Sequence, residues 1–370
     1  MDNITHSLVG LTLAETGLKR VTPLATTTLV MAANFPDIDI ITGMFGQLFY
    51  LEHHRGITHA LIALPFLSLL LATLIYRYSQ WKGRGARFGR LCGLGLLAML
   101  THPLLDYLNS YGWRPFLPWD NRWYYGDIAF VVDPWLWIFL GGTAFIFAAK
   151  TRRQTFFWTA LFVVMLIAMI LSSGVSLWIK VFWILLAAGA VWLRLTFEYT
   201  EKNVRLSSAG LLVAMLTYFG AMIWLHQTAL SKTRGLAVAA QARDGGSQLE
   251  TTAMPTPANP LKWRAVIATD KAFYISDLNL AKQIPSLEAM TAYPRETGAA
   301  AMLDAVRRTA QAQTFLRFAR FPVTEVMIFN KDNSPAAVEI RDVRFEALGV
   351  PNSFFTRILL DKNLHPVVEQ

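Results

Sequence analysis

Long apolar runs separated by short basic blocks fill residues 1–230. Runs close to the 20 or so residues that cross a hydrocarbon core of about 30 Å lie at 60–78, 91–108, 128–149, 156–173, 177–197 and 209–230, and each predicts a membrane helix. Two shorter runs, 4–18 and 23–43, come first and are interrupted by His6, Glu15, Asp37 and Asp39. Asp2 stands where a cleavable leader carries its basic cluster, and Lys19 and Arg20 follow the first run instead of preceding it, so both runs are predicted to be retained helices. Beyond residue 230 the pattern changes. Residues 231–260 are rich in Gly, Ser, Thr, Ala and Pro and read as a linker. The stretches "WRAVIAT", "AFYISDL", "VTEVMIF" and "AAVEIRDVRF" read as strands, and 296–319 as helix. The expected fold is a polytopic α-helical membrane protein. Its membrane-embedded part is 1–230, followed by the linker 231–260 and a small extramembrane α+β domain, 261–370.

Composition agrees with that pattern. Of the 370 residues 54% are hydrophobic and 16% charged, with a mean hydropathy of +0.36, which excludes an ordinary soluble enzyme. The net charge of +9 would suit nucleic acid, but the cations sit in blocks between apolar runs, as membrane topology requires, so no nucleic-acid partner is expected. The blocks at 77–90, 150–153 and 194–205 are the most basic and are assigned to the cytoplasm. Counting runs between them places the C-terminal domain outside. It also gathers His6, Asp37, Asp39, His53, His54, His59, His102, Asp106, Asp127 and Asp133 toward one external face. The single Cys92 excludes a disulfide within the chain.

Ionisable side chains at membrane depth are costly, so this gathering points to function. In "THPLLD", His102 and Asp106 are four apart and share one helix face. In "NFPDIDI", Asp37 and Asp39 flank a proline break, and in "HHRGITHA", Gly56 permits a turn before His59. Imidazole with carboxylate is the ligand set of zinc, manganese and iron sites. Arg55 suits a phosphoryl oxygen, while Thr58, Asn109 and Asp133 are placed to orient ligands. His226 and His365 have no partners nearby in sequence and are read as structural, and His53 as a spare. The twelve Trp are read mainly as interfacial residues, with Trp113, Trp119 and Trp123 near an entrance as the alternative.

The order "HSLVG", "PDID", "HRGITH" and "THPLLD", followed by apolar runs, resembles the YdjM-like family of inner-membrane-associated, metal-dependent hydrolases linked to LexA regulation. The motifs cover about residues 1–134. That family is similar in turn to zinc-dependent phospholipase C and the zinc nucleases. The resemblance implies His6, Asp37, His54 or His59, His102 and Asp106 as ligands of a divalent metal, zinc or else manganese. The last ligands of the soluble pattern have no counterpart after Asp106, with Asp127 or Asp133 as stand-ins.

The expected function is metal-dependent hydrolysis of a phosphoester in a lipid or lipid-linked substrate, in the inner membrane of a bacterium. Arg55, Asp39 and Asp133 are the expected catalytic residues. A transporter passing protons or metal would need ionisable groups along the full membrane depth, whereas residues 156–230 hold few. The third reading is a structural metal site in a non-catalytic protein.

Overall fold

The Asp2 carboxylate accepts hydrogen bonds from the backbone N–H and the hydroxyl of Thr5, and so opens α1 (Asn3–Glu15). α2 (Ala25–Asn34) stops where Pro36, which lacks an N–H, ends the α-helical ladder, and the chain continues as a 3-10 segment, Phe35–Phe45. Then follow α3 (Gln47–His53), α4 (Ala63–Trp81), α5 (Phe88–Tyr107) and α6 (Pro134–Gly142), which runs into a π-helical stretch, Thr143–Ala148. α7 (Arg152–Leu171), α8 (Leu177–Thr196) and α9 (Glu201–Asp244) complete the helical part. The computed structural model describes residues 1–149, 151–171, 175–245, 247–328, 336–346, 354–361 and 363–367.

Among the described residues, four helices are long and apolar enough to cross a membrane: α5, α7, α8 and α9. The run 128–149 is not a full span. Asp133 caps α6 and Pro134 begins it, so α6 and the π-helical stretch, 9 and 6 residues, rise only about 22 Å. Residue 173, the end of the run 156–173, and Lys150 lie outside the described residues. The expected linker 231–260 is also largely ordered, because "ALSKTRGLAVAAQARD" is rich in strong helix formers and carries α9 on to Asp244.

The chain divides into two compact units. The first comprises Met1–Asp39, Arg55–His226 and Pro255–Leu261. In it α1 packs on α2, α2 on α5 and α4 on α5, around a core of small and branched residues that includes Ala14, Leu29, Ala32, Leu64, Leu71 and Ala98. Small residues let these backbones approach closely. A Cβ on Gly10 would lie 2.7 Å from the Leu29 carbonyl oxygen, so the α1–α2 crossing requires glycine there. Phe156, Leu171, Leu185 and Leu195 are exposed on α7 and α8, as lipid-facing residues would be.

The second unit comprises Ile40–His54, Gln227–Met254 and Lys262–Gln370. One sheet has the order β1-β2-β3-β4, formed by β1 (Gln248–Pro255), β2 (Lys262–Thr269), β3 (Ala272–Asn279) and β4 (Thr291–Pro294). The other runs β5-β6-β7-β8-β9, from β5 (Glu296–Thr297), β6 (Pro322–Ile328), β7 (Ala336–Asp342), β8 (Phe355–Leu360) and β9 (Pro366–Val367). The four expected strands correspond to β2, β3, β6 and β7, with Phe329 outside the described residues. The helix expected at 296–319 begins instead as β5. It is then divided into α10 (Ala300–Arg307) and α11 (Ala310–Phe318), because Thr309 caps α11 through the N–H of Ala312. α12 (Val343–Glu346) is a single turn after β7. α3 packs against α11, with Arg317 paired to Glu52 at 3.2 Å.

Candidate metal centre

Three chain segments of the first unit supply the inward-pointing side chains. The 3-10 segment after α2 carries Asp37, a 3-10 turn (Ile57–His59) carries His59, and the last two turns of α5 carry His102 and Asp106. One ligand atom from each of these four residues falls in a single group. His59 Nε2 lies 3.1 Å from His102 Nε2, 3.4 Å from Asp37 Oδ1 and 3.5 Å from Asp106 Oδ2. His102 Nε2 is 3.4 Å from Asp37 Oδ1 and 3.4 Å from Asp106 Oδ2. These separations match the edge of about 3.3 Å in a tetrahedron with bonds of about 2.0–2.1 Å.

The opposite side of each imidazole decides which atoms face inward. His102 Nδ1 donates to the Ala33 carbonyl oxygen at 2.7 Å. His59 Nδ1 faces Asp39 Oδ2 at 3.1 Å, and Asp39 Oδ2 also accepts from the Thr58 hydroxyl and the Arg55 backbone N–H, each at 2.9 Å. A proton on each Nδ1 leaves a lone pair on each Nε2. Two lone pairs and two carboxylate oxygens then converge, a set of acceptors that needs a shared cation at its centre. The residues fit a divalent metal, and this cluster can hold one.

His6 stands beside the group, its ring stacked on that of His102 with centroids 3.7 Å apart and its Nε2 3.5 Å from Asp106 Oδ1. It is fully buried, and neither ring nitrogen has a hydrogen-bond partner among the described residues. Asp106 Oδ1 is held from outside by Arg55 Nη2 at 2.9 Å and by the Met1 amino group.

Arg55 does not present its guanidinium as an open anion clamp. Its Nη1 donates to Asn109 Oδ1 at 3.1 Å and to the Gly112 carbonyl at 2.8 Å, and the guanidinium lies over the Tyr111 ring. In the turn expected at Gly56 the left-handed residue is Arg55, at φ 51°, and it is held by the bond from its N–H to Asp39. Arg55 therefore positions Asp106, and Asp39 positions His59.

Asp133 and Asp127 belong to neither group of His and Asp that could hold a metal, whereas His54 is grouped with Asp37 and Asp39. Asp133 is spent on structure, its carboxylate accepting from the Trp135 N–H at 2.9 Å and from the Tyr218 hydroxyl at 2.6 Å. Asp127 gives its carbonyl oxygen to His226 Nδ1 at 2.8 Å. His54 belongs to the second unit, where it ends α3 and stacks on Tyr50; His53 stacks on Phe49 there. Trp113, read as interfacial, instead donates from Nε1 to the His59 carbonyl at 2.8 Å, and Trp119 is 76% exposed. Neither the role of the Ala33 carbonyl nor that of Trp113 leaves a mark in sequence spacing.

The chain is a membrane-spanning protein, and its N-terminal half is the part that comparisons with known proteins recognise. Residues 1–177 match the family model of the YdjM inner membrane protein. All four clustered residues, with His6, Asp39 and Arg55, fall inside the matched region. The uncharacterized protein YfhP of Bacillus subtilis (strain 168) is 27% identical over 167 residues, covering 42% of this chain and 49% of the relative. The chain thus spans about half the length of the curated relative it matches. No solved structure matches it, and a likeness to zinc-dependent phospholipase C is not shown by these comparisons.

Proposed function

We propose that the first unit is a metal-dependent hydrolase in which Asp37, His59, His102 and Asp106 hold a divalent cation, zinc in the first instance. The observation that carries this reading is the convergence of two imidazole nitrogens and two carboxylate oxygens, at 3.1–3.5 Å, with both Nδ1 atoms turned to acceptors. A divalent metal bound there would supply Lewis acidity and an activated water for ester hydrolysis. The side chains of this chain do the rest. Asp39 and the Ala33 carbonyl fix the imidazole orientations, and Arg55 fixes Asp106 while balancing part of the carboxylate charge.

The substrate class follows from surroundings. Asp37 is the most accessible of the four ligands, with 13% of its side chain exposed against 1% or less for the others. Ile38 follows Asp37 in the chain and Ile57 stands two residues before His59, each 52% exposed. An apolar rim at the accessible ligand favours a phosphoester carried on a lipid or lipid-linked molecule. The basic block 77–90 stands before the start of α5, so the positive-inside rule favours the external side for the other end of α5, which carries His102 and Asp106.

One observation favours a second reading: four protein ligands can close a tetrahedral site, as in structural zinc sites, whereas catalytic zinc usually keeps a position open. Elemental analysis of detergent-purified protein, followed by cobalt substitution, separates the readings. The hydrolase reading expects about one metal per chain and a cobalt spectrum that changes when phosphate is added. Absence of metal would sink both readings. A bound metal whose spectrum ignores phosphate, in a protein inert toward phosphoesters, would establish the structural one.

A further inference from the structure

At the other end of α1 from His6, roughly 14 Å further along the helix, the first unit contains a cavity of about 1140 Å³. It lies where several elements end: the turn after α1, the end of the π-helical stretch, the C-terminus of α8 and the first turn of α9. Its charged lining is unbalanced. The two acidic residues are already matched, Glu15 by Lys19 and Glu201 by Arg20. Arg194, Lys202 and Arg205 remain with no carboxylate opposite them among the described residues.

These three cations differ in what they offer. Arg194 is built in. It donates to the carbonyls of Phe145, Ile146 and Ala149 at 2.8–2.9 Å and to the Thr155 hydroxyl at 3.0 Å. Its terminal N–H groups are therefore used, yet its charge is not neutralised. Lys202 and Arg205 have no hydrogen-bond or ion-pair partner among the described residues and line the same cavity. The stem of Arg205 lies over Gly17, where a Cβ would come within 3.4 Å of Arg205 Cδ and the backbone is left-handed at φ 115°. The rest of the lining is apolar in part, with Leu18, Phe147 and Leu206, and Leu206 is 60% exposed.

We propose that this cavity binds the phosphate group of an anionic amphiphile, with a phospholipid headgroup as the occupant. Three uncompensated cations at a helix-end level supply the attraction, since a cation near a membrane surface contributes about 1 kcal/mol toward anionic lipid. The volume exceeds the range of about 300–1,000 Å³ that holds a drug-sized ligand, so a headgroup with its glycerol fits. Leu18, Phe147 and the exposed Leu206 offer apolar contacts for the acyl chains. This site does not depend on the metal centre or on hydrolysis. Free phosphate carries the same chemistry, and the test separates the two sources.

The full chain, purified in a neutral detergent, is followed by thermal unfolding and by native mass spectrometry with phosphatidylglycerol, phosphatidylcholine or millimolar inorganic phosphate added. Phosphatidylglycerol is expected to raise the unfolding midpoint and remain bound, phosphatidylcholine to do neither. The double variant Lys202→Gln, Arg205→Gln should bind phosphatidylglycerol about 30-fold more weakly. A shift reproduced by inorganic phosphate and abolished in the double variant upholds the phosphate site and assigns it to a soluble ligand. Equal responses to the two lipids overturn the proposal. So does an unchanged phosphatidylglycerol response in the double variant, whose fold is checked by its unfolding midpoint in detergent alone.

Discussion

His59 and His102 face each other through their Nε2 atoms at 3.1 Å, while the Nδ1 of each is turned to an oxygen acceptor, Asp39 Oδ2 for one and the Ala33 carbonyl for the other. Two neutral imidazoles so oriented repel unless a cation, a metal ion or a proton, lies between them. Asp37 and Asp106 reinforce that demand by adding two carboxylate oxygens to the same point.

The ligands and their supports should separate in metal content. His102→Ala and Asp106→Ala are expected to lose bound metal outright. Asp39→Asn keeps the four inward atoms but weakens the hold on His59, so metal affinity should fall by about 10–100-fold. Elemental analysis after dialysis against graded chelator measures both. Equal metal retention in Asp106→Ala and the unaltered protein would remove Asp106 from the ligand set.

Arg55 offers a stability test. It is buried and its Nη2 is bonded to Asp106 Oδ1 at 2.9 Å. Removing Arg55 strips the buried Asp106 carboxylate of part of its compensation, with the Met1 amino group still beside it, so Arg55→Ala should destabilise the protein by up to about 3–5 kcal/mol. Arg55→Lys should recover only part of this, because an ammonium cannot reach Asp106, Asn109 and Gly112 together. Thermal unfolding in detergent reads the difference.

Gly126 and Gly93 form a contrasting pair. A Cβ on Gly126 would lie 2.5 Å from the Tyr107 carbonyl oxygen, next to the end of α5 that carries Asp106, while one on Gly93 meets nothing within 4 Å. Gly126→Ala is expected to cost about 1–3 kcal/mol. Gly93→Ala should be neutral or stabilising by up to about 1 kcal/mol through helix propensity. The two unfolding midpoints should move in opposite directions, or only that of Gly126→Ala should fall.

Acid sensitivity of the α+β unit should involve Asp277. Its partial burial opposes ionisation, but Lys262 at 2.9 Å and Arg264 at 2.9 Å hold its carboxyl below the usual carboxylate range. A folded-state pKa depressed in this way contributes stability above the unfolded value of about 4, and loses it as pH falls toward the folded value. Asp277→Asn should be less stable at neutral pH and show a shallower loss of stability below about pH 4. Parallel acid titrations of the two proteins measure the difference in slope.

Local chemistry decides what was legible before the fold was known. "THPLLD" places His102 and Asp106 on one face of a helix by its four-residue spacing alone, and the structure brings both to the same centre. Apolar length gave α5, α7, α8 and the apolar part of α9, but it overstated 128–149, where Asp133 and Pro134 start a helix too short to span. The sequence 231–260 looked like a linker because its Gly, Ser and Pro were counted together, although its first part is alanine-rich helix.

The sequence by itself determined the membrane class, most of the long apolar helices, four of the nine strands among the described residues, and the residue types able to bind metal. Those follow from hydropathy, periodicity and side-chain chemistry within a few residues. Only tertiary structure decided which histidine joins the group. In "HHRGITH", His54 and His59 are five apart, and spacing cannot choose between them. The left-handed turn at Arg55, tied by its N–H to Asp39, sends His59 to the centre and leaves His54 at the end of α3. The same turn carries the Arg55 guanidinium back to Asp106, Asn109 and Gly112, acceptors at least 51 residues away that no local pattern could assign.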